Sequence, residues 1–124
     1  MKKTAIKSFG IKHLDLAVLD AERALQFYTD VFGIEVKSRN NGAIQATTPG
    51  TDDLIVFRCA PERAGQPGGI AHVGFRMQGP EDVEEAVRRA EAAGATILKR
   101  GELGPGRPSA RIRDLDGYEV EFWV

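Results

Sequence analysis

A chain of 124 residues is the length of one ordinary domain, enough to bury a core and too short for two independent ones. Its 17 Lys and Arg against 18 Asp and Glu leave a formal charge of -1 with no long run of like charge, which argues against nucleic-acid or membrane surfaces and leaves a small molecule as the expected partner. The single cysteine forms no internal disulfide, the opening MKKTAIK lacks the apolar core of a secretion signal, and no apolar stretch approaches the ~20 residues of a membrane span, so a cytoplasmic protein is expected.

From His13 to Val18 the chain alternates, with Leu14, Leu16 and Val18 on one face and His13, Asp15 and Ala17 on the other, which predicts a half-buried strand. Asp20 then stands at a helix N-cap, and Ala21, Ala24, Leu25, Tyr28 and Phe32 recur at helical spacing until Gly33. Strands are expected at about 34–38, 43–47 and 54–59, with Asn40-Asn41-Gly42 as a hairpin turn. A Pro- and Gly-rich linker follows at about 61–68.

The pattern then returns. His72 is followed by Val73, Phe75 and Met77 on one face and Gly74 and Arg76 on the other. Pro80 opens a second helix whose apolar stripe, Val83, Ala86, Val87 and Ala90, stops at Gly94. Strands follow at about 96–100, 110–113 and 118–124, the last two joined at Asp116-Gly117. The chain therefore reads as an α+β fold in one domain, 1–124, of two tandem β-α-β-β-β modules, about 11–60 and 69–124, whose sheets form a shared cup.

On this reading His13 and His72 point into the cup from equivalent strands. The last strand alternates as well, with Val120, Phe122 and Val124 toward the core and Glu119, Glu121 and Trp123 away from it. Two histidines and a carboxylate can hold one divalent metal and leave other positions open for substrate, so His13, His72 and Glu121 are the expected ligands. Such a set accepts iron, manganese, nickel, cobalt or zinc. Glu119 replaces Glu121 if the facing of that strand is off by one residue.

These residues resemble the vicinal oxygen chelate superfamily, which includes glyoxalase I, extradiol dioxygenases, fosfomycin-resistance thiol transferases and bleomycin-resistance proteins. The resemblance runs from about Ile11 to Val124. It is carried by His13-Leu-Asp-Leu-Ala-Val with Phe27-Tyr28 and Phe32-Gly33, by Gly69-Ile-Ala-His72-Val, and by Asp114-Leu-Asp-Gly-Tyr-Glu-Val-Glu121-Phe. It implies the same ligands, His13, His72 and Glu121. The family's fourth ligand position falls on Val56, which cannot bind metal, and this departs from glyoxalase I, where an acidic residue serves there as ligand and in proton transfer.

The resemblance implies a metal-dependent enzyme, dioxygenase-like or lyase-like, that chelates neighbouring oxygens of a small organic substrate. A fosfomycin-type thiol transferase and a metal-free binder of the bleomycin-resistance kind are the alternatives. With both histidines assigned, Asp15 is the candidate base or orienting group and Tyr118 the candidate proton donor. Arg58 and Arg76, which alternate onto the cup face, are the candidate anion-binding groups, with Arg111 and Arg113 nearby on a strand of undecided facing. Relatives often form homodimers, in some of which modules of different chains pair. A linker that folds back would keep the site within one chain, and an extended one would share it between two.

Four further features are read locally. Trp123 is a candidate substrate-stacking residue, beside the plainer reading of a ring that caps the core or fills a dimer contact. Cys59 falls on the helix-covered face as a small buried hydrophobe. The charged cluster from Glu81 to Glu91 reads as a solvated helix face with Glu84–Arg88 and Glu85–Arg89 pairs. Gly104-Pro105-Gly106-Arg107-Pro108 reads as a mobile connector or lid, since proline lacks the amides of a phosphate loop and no helix follows.

Overall fold

In the computed structural model, which describes residues 5–124, the first alternating run forms β1 (His13–Val18), with Leu16 and Val18 buried and His13 exposed. Helix α1 (Ala21–Phe32) starts where the Asp20 carboxylate accepts a hydrogen bond from the Arg23 N–H at 3.1 Å. It ends at Gly33, whose φ of 72° lets its N–H turn back to the Thr29 carbonyl. β2 (Glu35–Asn40) and β3 (Ala43–Thr47) form a hairpin through Asn41 and Gly42, both at positive φ, and β4 (Leu54–Cys59) completes the first unit.

The second unit repeats the order: β5 (Val73–Arg76), α2 (Pro80–Ala92), β6 (Thr96–Gly104), β7 (Arg107–Arg113) and β8 (Glu119–Trp123). The sheets are β1-β4-β3-β2 and β5-β8-β7-β6, each with one parallel pair, β1 with β4 and β5 with β8, and otherwise antiparallel. Two four-stranded sheets with two helices make the α+β architecture that the alternation predicts.

One hydrophobic cluster spans both units, because α1 packs on its own sheet and on its neighbour. Tyr28 lies 5.2 Å from Phe57, while Phe32 stacks on Phe75 at 4.2 Å and meets Phe122 edge-on at 5.3 Å. Polar contacts join the same two units at the β7–β8 turn. The Tyr28 hydroxyl donates to Asp114 at 2.6 Å, the Leu19 N–H to Asp116 at 2.8 Å and the Tyr118 hydroxyl to the Ala17 carbonyl at 2.7 Å. The helix-covered faces thus pack together, and the opposite faces of both sheets stay open.

Three local expectations are corrected. Residues 104–108 are the tip of a hairpin, with Gly104 paired to Arg107 and Pro108 to Glu102 across a register shift, so β6 and β7 run longer than their breakers suggest. Cys59 is exposed: it ends β4, its Sγ 3.5 Å from the Leu19 carbonyl. On α2, Glu85 pairs with both Arg88 and Arg89, and Glu84 reaches across to Arg100 instead of Arg88. Among the described residues no helix is long and apolar enough to cross a membrane.

Candidate metal and substrate site

Strand register fixes which side chains share the open faces. In the first sheet Asp15 lies opposite Val56, and in the second Gly74 lies opposite Glu121, so Val56 holds the place that Glu121 holds in the repeat. Val56 is 3% exposed yet lies outside the main hydrophobic cluster. Beside it Arg58 grips Asp15 with two hydrogen bonds, Nη2 to Oδ2 at 2.6 Å and Nε to Oδ1 at 3.1 Å. The pair raises the Arg58 pKa, first through the hydrogen bond to Asp15 and then through its charge.

On the second sheet His72 Nε2 stands 3.3 Å from Glu121 Oε2. Two ligands each ~2.1 Å from one metal, at angles between octahedral and tetrahedral, lie about 3.0–3.4 Å apart, so this pair has the spacing of one edge of a coordination shell. Arg111, directly across from Glu121 on β7, donates from Nη2 to the same Oε2 at 3.0 Å, and its buried Nε has no partner among the described residues. Arg111 thereby holds the same carboxylate oxygen that faces His72.

His13 is not part of this cluster. Among the described residues no three His, Cys, Asp or Glu side chains come together closely enough for a metal. The edge strands β1 and β5 line two shared clefts. One of about 270 Å³ holds Asp15, Ala17, His72 and Tyr118, and one of about 530 Å³ holds His13, Leu54, Gly74 and Arg76. Leu14 and Val73 border both, so the two histidines look into opposite clefts about a pseudo-two-fold. The linker is coiled into turns, with Arg63 N–H bonded to Ala60 and Ala64 N–H to Pro61. It folds back, yet it sets the modules side by side instead of closing the three ligands into one group.

The remaining sequence candidates divide. Arg58 is committed to Asp15, which occupies both carboxylate oxygens. Tyr118 is 8% exposed and its hydroxyl donates a hydrogen bond to the Ala17 carbonyl. Arg76 is exposed on the open face and Trp123, its register partner, half-buried. Sequence reasoning left Arg111 undecided and passed over Gly74. The length of β7 would have given the first by alternation from Glu121, and a glycine inside an otherwise regular strand is the signal for the second.

Comparison with known proteins adds the family context. The model of the glyoxalase/bleomycin resistance protein/dioxygenase superfamily matches residues 10–122. An uncharacterized protein of Pseudomonas aeruginosa is 32% identical over 122 residues, covering 90% of this chain and 86% of that protein. A manganese-dependent 2,3-dihydroxybiphenyl 1,2-dioxygenase of Geobacillus genomosp. 3 is 26% identical over 95% of this chain, which spans only 36% of the dioxygenase. The structure of the fosfomycin resistance protein FosX of Mesorhizobium loti superposes with a TM-score of 0.77 at 15% identity, covering 95% of this chain and 93% of that one.

Proposed function

Because the chain belongs to the glyoxalase/bleomycin resistance protein/dioxygenase superfamily, we propose that it is a metal-dependent enzyme of the dioxygenase or lyase kind, acting in the cytoplasm on a small oxygenated organic substrate. The observation that carries this reading is the 3.3 Å approach of His72 Nε2 to Glu121 Oε2 on an open sheet face. His13 stands at the matching place of the other module and supplies the third ligand from a second copy of the chain, so the working unit is a homodimer with open faces apposed. A divalent ion held there supplies Lewis acidity toward two adjacent substrate oxygens, or oxygen activation where it is redox-active.

The chain's own residues do the rest. Arg111 keeps Glu121 turned toward His72. Asp15 and Arg58 pair across the open face, and both stay available to a substrate because an exposed ion pair is worth little. Tyr118 acts as a strut between modules.

The test is elemental analysis of anaerobically purified, tag-free protein beside its His72→Ala and Glu121→Gln variants. The expected result is about one equivalent of metal per chain, lost in both variants. Absence of metal after reconstitution with iron, manganese, nickel, cobalt and zinc in turn would sink the enzyme reading and leave a metal-free small-molecule binder.

A further inference from the structure

The two open faces carry the same diagonal contact made with different chemistry. In the first sheet Arg58, whose register partner is Ala17, leans back across Val56 to Asp15. In the second sheet Trp123, whose register partner is Arg76, leans back in the same direction to Gly74, the partner of Glu121. A Cβ placed on Gly74 would stand 2.6 Å from Cζ3 and 3.1 Å from Cη2 of Trp123, so the indole rests on bare β5 backbone. Any other residue there would displace it.

The two contacts differ in what they leave over. Arg58 and Asp15 spend their strongest hydrogen bonds on each other. The Trp123 ring, half-buried against Gly74 and two residues from Glu121 on the same face, needs no partner for its free surface and offers a flat, polarizable one. With Arg111 and exposed Arg76 close by, that surface suits a flat ring carrying negative charge.

We propose that Trp123, seated on Gly74, is the stacking plane for a flat, conjugated, anionic portion of the ligand, and that Gly74 sets this preference by leaving room for the ring. The proposal rests on the reading above only in placing the ligand's oxygens toward His72 and Glu121.

Benzoate and cyclohexanecarboxylate, equal in charge and different in flatness, are the probes. Trp123 is the chain's only tryptophan, so one indole N–H signal in a proton–nitrogen correlation spectrum reports on it. Benzoate should shift that signal and bind about three- to tenfold more tightly than cyclohexanecarboxylate, the range expected of one aromatic stack. Gly74→Ala should erase the difference while the protein still unfolds cooperatively. Trp123→Leu should erase it and Trp123→Phe keep most of it, followed by ligand-observed spectra; this pair decides the matter should Gly74→Ala fail to fold. Equal binding of the probes, or a preference unchanged in Trp123→Leu, overturns the proposal and leaves Trp123 a packing residue. Titrations with metal-free and reconstituted protein separate the two readings: a flat-ring preference in protein that takes up no metal upholds the plane alone, and normal metal uptake without the preference sinks only the plane.

Discussion

Asp114 is a buried charged residue, 7% exposed, and it is held from several directions. Burial pushes its pKa up, while the Tyr28 hydroxyl and the N–H groups of Asp116, Gly117 and Tyr118 pull against that rise. A carboxyl with a raised folded pKa contributes most to stability when protonated, below its ordinary 3.8, and loses that contribution as pH climbs through the folded value. Urea unfolding of wild type and Asp114→Asn should therefore show wild type gaining on the variant as pH falls from neutral toward 4. Identical pH dependence in the two proteins would mean that the carboxyl does not titrate in the fold. Tyr28→Phe removes the hydroxyl from the same contact and should cost about 1–3 kcal/mol at neutral pH in the same assay. At Cys59, alternation predicted a buried position, but the residue ends β4 and is exposed.

At the scale of elements the modules were legible because each signal had one physical meaning. Alternation marked β1, β4 and β8, Asp20 and Gly33 bounded α1, and Asn41-Gly42 made the hairpin. The β6–β7 hairpin was not legible, since Gly101, Gly104 and Pro108 read as breakers until cross-strand pairing shows them at its irregular tip. Limited proteolysis should accordingly find residues 104–108 no more sensitive without ligand than with it, because cross-strand pairing holds the tip; protection on ligand binding would restore the lid. The contact of α1 with both sheets also lay beyond periodicity, which says that Phe32 is apolar and not which sheet it meets. Phe32→Ala should cost about 3 kcal/mol by chemical denaturation, as it loses rings from the opposite module at 4.2 and 5.3 Å. A loss below about 0.5 kcal/mol, the level of an ordinary surface substitution, would show that α1 does not bind the two halves together.

For the whole molecule, the sequence named the two histidines and the carboxylate but could not assign them to one chain or two, because strand facing is local and module pairing is not. His13 and His72 line opposite clefts, and Glu121 approaches only His72. Chains carrying His13→Ala should bind no metal, nor should chains carrying His72→Ala, yet co-expressed and purified as the mixed dimer through two different tags they should regain one metal per pair. A mixed dimer as empty as its parents would place the site within one chain. The polar contacts at the β7–β8 turn have a consequence for synthesis on the ribosome. The Tyr28 hydroxyl and the Leu19 amide belong to the first half, and their partners Asp114 and Asp116 are made 86 and 97 residues later. Until then the emerging half carries polar groups without partners beside an uncovered aromatic patch.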